Sequence, residues 1–232
     1  MTGDSKQAQV ARTRRDFFDY FRQRLAVTRD GAMRSPERMV LLTASLDALA
    51  NHWASTTAGP DVRSIKNVDR LRLFLERHGG HEAYGRVSAP LLRASDEVTP
   101  AQRSELGGHF PFARYRTDAL NEVSTWNQDP CFSTLASATS AFNRETLVRF
   151  SYGGLLYKRL RCGWLHEFMA RDEDIMTPEV STIHHEPYYL YAINTQRFIF
   201  VVPVVFLVAT LERAIDSFDA EATKRDIVPF KE

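Results

Sequence analysis

The sequence predicts an all-α protein, a helical bundle with one β-hairpin before its C-terminal helix. Three observations support this fold class. Apolar residues recur at the three- and four-residue spacing of amphipathic helices through most of residues 11–170. Capping residues, prolines and glycine pairs divide this region into separate helices. The period changes only at residues 188–202, where aromatic and β-branched residues form two short runs typical of strands.

Two long helices are predicted near the start of the chain. The first covers residues 11–27, with phenylalanines on one face and arginines on the other. The second begins at Ser35-Pro36, a capping serine followed by a proline suited to the first helical turn, and runs to about Trp53. It is apolar nearly all round, and we therefore expect it to be the central helix of the core.

Shorter helices are predicted through the middle of the chain. We expect glycine pairs to end the helices at 79–80 and at 107–108, and the stretch 152–154 to break the longest helical region. Residues 110–126 are aromatic-rich and ambiguous, and residues 171–180 are predicted to be an acidic loop. The predicted helical ranges are 62–78, 83–97, 99–107 and 133–170.

The C-terminal part is predicted to be a hairpin followed by a helix. Residues 188–193 and 197–202 form the strands, and Pro203 opens a helix over residues 204–220. No repeat or linker divides the chain, so residues 1–232 are expected to be one domain. Residues 1–10 and 224–232 are expected to be flexible, and residues 183–220 to be an elaboration of the bundle.

Composition narrows the functional classes. The net charge of +1 gives no global field for a stoichiometric nucleic-acid binder, but it allows an enzyme with a local basic cleft. Cys131 and Cys162 form neither a disulfide framework nor a zinc pattern, which favours a reducing cytoplasm. Residues 1–9 lack the apolar centre of a signal peptide, and the longest apolar run, 198–211, is too short to span a bilayer. We therefore expect no membrane association.

The stretch 157–167 contains three cationic residues, a histidine and a glutamate, and it is the main candidate for a functional site. A guanidinium can hold a phosphate through two parallel hydrogen bonds, and an imidazole can transfer a proton near neutral pH. Two other histidines, His78 and His109, also follow an arginine at a similar spacing, but they fall at a predicted helix end and in a predicted loop. The candidate side chains for metal-free phosphodiester chemistry are Lys158, Arg159, Arg161, His166 and Glu167.

An acidic residue lies inside the predicted central helix. Thr43, Asp47 and Asn51 are spaced by four residues and therefore share one stripe of this helix. A buried carboxylate needs partners. Asp47 is therefore expected either to pair with a structural arginine or to face a functional site, and the sequence leaves both alternatives open.

At this point the sequence resembles the HEPN superfamily, small all-helical domains that include many ribonucleases. The family motif is an arginine and a histidine separated by four to six residues, and here it reads Arg161-Cys162-Gly163-Trp164-Leu165-His166. Many of these domains also have an upstream hydrophobic helix with an embedded acid, as in residues 40–49 with Asp47. The resemblance covers residues 12–170, and Cys162 stands where the family often has a polar residue, typically asparagine.

The resemblance implies RNA cleavage without a metal. His166 would act as general base or acid, and Arg161 would stabilise charge on the phosphoryl oxygens. Lys158, Arg159 and Glu167 would support them. Family members usually join two such sites at a dimer interface, which implies a homodimer or a partner protein that inhibits or completes the site. The implied settings are toxin–antitoxin systems and antiviral defence. The alternative is a non-catalytic module that binds RNA, nucleotide or protein.

Two further points concern the site residues. On a regular helix, residues five apart are separated by about 140°, whereas residues seven apart nearly coincide. Arg159 therefore shares a face with His166 better than Arg161 does, and it stays as the second candidate. His184-His185 and Glu186 resemble metal ligands, but adjacent histidines before a strand point to opposite sides and no fourth ligand is evident. We expect no metal and no other cofactor.

Overall fold

The computed structural model describes residues 3–30, 33, 35–110, 124–139, 141–163, 175–178, 185–192 and 196–229 of the 232-residue chain. These residues are mostly helical, as predicted. The α-helices are α1 (Gly3–Arg29), α2 (Ser35–Thr56), α3 (Pro60–Arg63), α4 (Asn67–His78), α5 (Ala89–Ala94), α6 (Pro100–His109), α7 (Phe132–Ala138), α8 (Arg144–Phe150), α9 (Tyr152–Leu155) and α10 (Val204–Lys224). Two short 3₁₀ helices, Glu82–Gly85 and Trp126–Gln128, and a π-helical segment, Leu156–Arg161, complete the helical part.

Helix α2 is the central helix, as its apolar sequence predicts. It packs against α1, α4, α10 and the π-helical segment. Met39, Leu42 and Leu49 are fully buried between these neighbours. A helix with apolar residues on every side is stable only when other elements cover it, because each buried leucine or methionine contributes about 2 kcal/mol by leaving water.

Helix α1 is longer than predicted. It begins at Gly3 rather than at residue 11, although residues 5–9 are exposed. Its buried face is the predicted one: Phe18 is fully buried and lies edge-to-face on Phe218 of α10, with ring centroids 5.3 Å apart. The polar first turns give no hydrophobic signal, so the sequence pattern begins only where the helix reaches the core.

Several predicted helix boundaries are wrong. The range 83–97 contains the 3₁₀ helix Glu82–Gly85 and the short helix α5, and the range 133–170 is divided because α7 ends at Ala138 and α8 begins at Arg144. The range 62–78 contains two helices, α3 and α4, separated by residues 64–66, and α4 ends at the glycine pair as predicted. Gly107 and Gly108 do not end α6, which continues to His109 and closes with the Phe110 amide donating to the Leu106 carbonyl at 2.8 Å. Glycine ends a helix only where the chain adopts a left-handed conformation, as at Gly80, where φ is +66°.

The break predicted at the glycines 153 and 154 lies instead at Ser151. Ser151 has extended backbone angles, and its side chain caps α9 by accepting from the Gly154 amide. The glycines serve close packing instead: a Cβ on Gly153 would lie 2.6 Å from Arg72 Cα, and one on Gly154 would lie 1.9 Å from the Val148 carbonyl oxygen. Helix α9 can therefore approach α4 and α8 only with glycine at these positions.

The predicted β-hairpin is confirmed, and it belongs to a small sheet. Strands β3 (Tyr188–Ala192) and β4 (Arg197–Val201) pair antiparallel. Two-residue strands flank them, β1 (Ser124–Thr125) beside β3 and β2 (Ile175–Met176) beside β4, in the order β1-β3-β4-β2. Strand β2 lies in the stretch predicted to be an acidic loop, so that prediction is wrong at these two residues. Residues 175–176 form a strand because they pair with β4, which lies more than 20 residues further along the chain.

A C-terminal helix follows the sheet as predicted. Helix α10 begins after Pro203 and continues to Lys224, beyond the predicted end at residue 220. Leu207, Leu211 and Phe218 on its inner face are fully buried. Within the described ranges, no helix combines the length and the apolar character that crossing a membrane requires.

A buried carboxylate joins the sheet to the helices. The hydroxyls of Tyr152 on α9 and Tyr189 on β3 both donate to Oδ2 of Asp129, and the Ala89 amide donates to its Oδ1 at 3.1 Å. Asp129 is only 1% exposed. Burial raises the pKa of both tyrosines well above the usual value, and the charge of Asp129 raises it further. This network fixes α9, and hence the start of the π-helical segment, against the sheet.

Candidate functional site

The candidate site is built on the π-helical segment Leu156–Arg161, which directly continues α9. The Cys162 amide donates to the carbonyl of Tyr157, five residues earlier, in the hydrogen-bond pattern that defines a π-helix. Leu156 and Leu160 are buried, which anchors the segment to the core. Such π-helical turns are rare and are frequently found at functional sites, because they widen the helix and redirect its side chains.

Arg161, at the end of this segment, reaches across to α2. Its Nε and Nη2 atoms donate to Oδ2 of Asp47 at 3.1 and 2.9 Å. The Asp47 side chain is 11% exposed and that of Arg161 is 22% exposed. Of the two alternatives for Asp47, the structure therefore shows an arginine partner, and that partner is the arginine of the predicted motif.

The surroundings keep Arg161 charged and oriented. Burial lowers the pKa of this guanidinium, but the charge of Asp47, together with Tyr157 and the Cys162 side chain, outweighs it and raises the pKa above the usual value. The guanidinium carbon also lies 5.2 Å from the centre of the Tyr157 ring, a cation–π contact. Cys162 is thus a neighbour of Arg161, as its place in the motif requires.

The polar stripe of α2 continues towards α4. Thr43 satisfies its hydroxyl locally by donating to the Met39 carbonyl at 2.7 Å. One turn beyond Asp47, Asn51 accepts a hydrogen bond of 2.6 Å from Nη1 of Arg70. Asp47 and Asn51 therefore each bind an arginine from a neighbouring element, Arg161 and Arg70 respectively.

The comparison between the two candidate arginines depends on residues 159–166. The π-helical segment covers only Leu156–Arg161, and residues 164–166 lie outside the described part of the chain. Both Arg161 and Arg159 therefore stay as candidates. Arg159 itself is partly buried.

The other predicted site residues are placed as follows. Lys158 is exposed and lines a cleft of about 490 Å³ between α4 and α8. His166 and Glu167 lie outside the described residues, and so does His184. The structure thus brings Asp47, Arg161 and Cys162 together and leaves the distance from Arg161 to His166 as an open prediction.

Glu186 has a well-defined surrounding that the sequence did not predict. Its Oε2 accepts from Trp126 Nε1 at 2.6 Å, and its Oε1 lies 3.3 Å from His81 Nε2. Both contacts lower the pKa of Glu186, with the Trp126 hydrogen bond as the main cause. Within the described ranges, no three His, Cys, Asp or Glu side chains are grouped so that they could hold a metal ion.

Sequence reasoning missed Tyr157 as a neighbour of Arg161 and Arg70 as the partner of Asn51. Tyr157 begins the motif stretch and lies four residues before Arg161, a spacing that places two side chains side by side on a helix, so this signal could have been used. Arg70 lies in an ordinary amphipathic helix, and no sequence signal separates it from the other arginines of that helix.

No protein-family model, curated protein or solved structure matches this chain. The resemblance to the HEPN superfamily thus rests on the motif and on the helix that carries Asp47.

Proposed function

We propose that this chain is a metal-independent endoribonuclease of the HEPN type. One observation carries the proposal: a partly exposed guanidinium, Arg161, is held by the buried carboxylate Asp47 at the end of a π-helical turn. An arginine oriented in this way is suited to bind a phosphate, because less side-chain freedom is lost when the phosphate arrives. His166, five residues further, is the proposed proton-transfer group.

The proposed reaction is an internal transfer at phosphorus. The ribose 2′-oxygen attacks the adjacent phosphorus while His166, as general base, accepts the 2′-hydroxyl proton. The bond from phosphorus to the 5′-oxygen breaks, and a protonated histidine or water gives that oxygen a proton. Arg161 stabilises the additional charge on the phosphoryl oxygens. The products are a 2′,3′-cyclic phosphate and a 5′-hydroxyl.

We further propose that the active form is a homodimer, with an inhibitory or activating protein partner as the alternative. One arginine and one histidine supply few groups for this reaction, and two copies of the motif facing each other across a twofold axis would double them. The proposed setting is cytoplasmic, in bacterial defence or a toxin–antitoxin system.

The test is cleavage of a mixed RNA substrate in EDTA. We expect the wild type to leave cyclic-phosphate ends and Arg161→Ala and His166→Ala to lose at least 100-fold in rate, as for the loss of one stabilising donor or one general base. Arg12→Ala is the matched control, because the Arg12 side chain is 86% exposed on α1. Cleavage that persists in both site variants overturns the proposal.

The second candidate function is a non-catalytic module that binds RNA, nucleotide or protein. Asp47 favours this function, because its carboxylate already accepts hydrogen bonds from Arg161 Nε and Nη2. A phosphate must therefore displace the carboxylate or bind the same guanidinium beside it. Cys162, which stands where the family often has a polar residue, also favours the non-catalytic function. A folded, dimeric wild type that binds RNA in EDTA without cleaving it establishes this function instead.

A further inference from the structure

A cleft beside the π-helical segment is separate from the Asp47–Arg161 pair. It has a volume of about 490 Å³ and is bounded by residues 64–69, by α8 and by Lys158. Ile65, Val68 and Val148 form an apolar floor, and the last two are buried. The cleft is therefore concave and apolar at its base.

The rim of this cleft is mainly cationic. Lys66, Arg144, Arg149 and Lys158 line it, together with the carboxylates Asp69 and Glu145. The four cations outnumber the two carboxylates on this rim, whereas the chain as a whole has a net charge of only +1.

The existing ion pairs of the rim are of a kind that a ligand can replace. Lys66 Nζ lies 2.8 Å from Glu145 Oε1, but the two side chains are 71% and 63% exposed. Arg144 Nη2 lies 2.7 Å from Asp69 Oδ2 and is 60% exposed, while Asp69 keeps a second, buried partner in Arg72. The Lys66–Glu145 pair is exposed on both sides and contributes little to stability, so redirecting Lys66 towards a phosphate costs little. Arg149 is already paired with Glu97, its Nη1 lying 2.7 Å from Glu97 Oε1.

Lys158 is the rim cation best placed to take a new anion. Within the described part of the chain it forms no hydrogen bond or ion pair, and its side chain is exposed. It also lies three residues before Arg161 on the same π-helical segment. The cleft that Lys158 lines and the proposed catalytic arginine are therefore built on one segment, although Arg161 itself reaches across to Asp47 on α2.

A second connection joins the cleft to the Asp47–Arg161 pair. Arg70 Nη1 binds Asn51, on the stripe that carries Asp47, and its Nη2 donates to the Ile65 carbonyl at 3.2 Å. Ile65 is part of the cleft floor. The loop that closes the cleft is thus tied through one arginine to the helix that orients Arg161.

We propose that this cleft binds the substrate RNA strand, with its phosphates on the cationic rim and a base against the apolar floor. A nucleotide combines an anionic phosphate with a flat, largely apolar ring, and the cleft presents complementary surfaces for both. The inference rests on the proposed function for the identity of the ligand. It adds a binding subsite, built on the same π-helical segment as Arg161, that would position the strand for cleavage.

The test measures binding apart from cleavage. A fluorescently labelled single-stranded RNA is titrated in EDTA with His166→Ala protein, and anisotropy is recorded at several salt concentrations. We expect Lys158→Ala, added to this background, to weaken binding roughly three- to tenfold and to make the slope of log K against log salt shallower by about 0.7, the value for one lost phosphate contact on a single strand. Lys158→Ala together with Arg144→Ala should weaken it further.

Lys224→Ala is the matched control, because Lys224 is an exposed lysine in the last turn of α10, outside the cleft. It should bind RNA like the His166→Ala background. Unchanged affinity and slope in Lys158→Ala overturn the inference, and so does a protein that binds no RNA. Equal competition by polyglutamate also overturns it, since the cleft would then take acidic peptides.

The outcomes separate this inference from the proposed function. If the wild type cleaves RNA and Lys158→Ala has the same Michaelis constant, the proposed role of the cleft is wrong but the proposed nuclease function stands. RNA binding that depends on Lys158, without any cleavage by the wild type, supports the cleft and contradicts the nuclease.

Discussion

At the scale of single residues, one buried carboxylate decides how the proposed catalytic arginine is presented. Asp47 Oδ2 accepts hydrogen bonds from both Nε and Nη2 of Arg161. Burying most of an ion pair costs desolvation energy, but the pair fixes the direction of the Arg161 guanidinium. We therefore interpret Asp47 as a positioning residue.

Asp47→Asn tests this role. The asparagine keeps the shape of the side chain but loses the charge, so Arg161 becomes less firmly oriented. We expect RNA cleavage to fall roughly 10- to 100-fold, because small displacements of a catalytic group have effects of that size. Asp16→Asn, at a 70% exposed carboxylate of α1, is the control. A variant that is folded by circular dichroism and cleaves at the wild-type rate would contradict the role.

A second residue-scale prediction concerns the Asp129 network. In Tyr189→Phe, Asp129 loses one donor and Ser88 loses a hydroxyl partner at 2.7 Å. Leaving such groups unsatisfied in the interior costs about 1–3 kcal/mol of unfolding free energy. Tyr191→Phe, two positions along the same strand and only partly buried, should cost much less. Urea denaturation of the two variants compares them directly, and equal midpoints would show that the network contributes nothing.

At the scale of elements, the start of α9 depends on the absence of a side chain. Gly154→Ala would place a Cβ 1.9 Å from the Val148 carbonyl oxygen, so α8 and α9 must separate. We expect a loss of about 3 kcal/mol in unfolding free energy, at the upper end for overpacked positions. The π-helical segment follows α9 directly, so RNA cleavage should fall as well.

Gly107→Ala is the matched helical control for this variant. A Cβ at Gly107 meets nothing within 4 Å, and the residue lies inside α6. Alanine there should stabilise the protein by about 0.5–1 kcal/mol, since glycine loses more backbone freedom on folding. Thermal unfolding followed by circular dichroism measures both changes. A Gly154→Ala protein as stable as Gly107→Ala would exclude the close approach of α8 and α9.

At the scale of the whole molecule, stability should depend on pH through His78. This residue is 2% exposed between α4 and α10, and burial lowers its pKa from 6.5 to about 4, partly opposed by Glu221. Between these two values the unfolded chain binds a proton that the folded protein does not. The free energy of unfolding therefore falls as the pH is lowered from 6.5 towards 4.

We expect a loss of about 2 kcal/mol from this group between pH 7 and pH 5. Urea denaturation at the two pH values should show it for the wild type, and His78→Gln should show a difference smaller by that amount. His185→Gln, at an exposed histidine, should behave like the wild type. A His78→Gln protein with an unchanged pH dependence would rule out His78 as the source.

The predicted helices were most accurate where a local signal and the core agreed. The α2 start at Ser35, the end of α4 at Gly79 and the hairpin all follow from neighbouring residues in sequence, and the structure confirms them. The glycines 153 and 154 predict a break that lies instead at Ser151, because the close approach of α4 and α8 to these glycines cannot be seen in the sequence. Strand β2 was missed for a similar reason.

Four features could be predicted from the sequence: the helical class, the central position of α2, the hairpin before the last helix, and Asp47 and Arg161 as candidate site residues. These follow from periodicity, capping chemistry and residue type, which are local properties of the chain. That Asp47 binds Arg161 and that Lys158 lines a basic cleft could be seen only in the folded molecule, because both are contacts between segments far apart in sequence. The π-helical turn is local, but the sequence carries no capping or periodicity signal that distinguishes it from an α-helix.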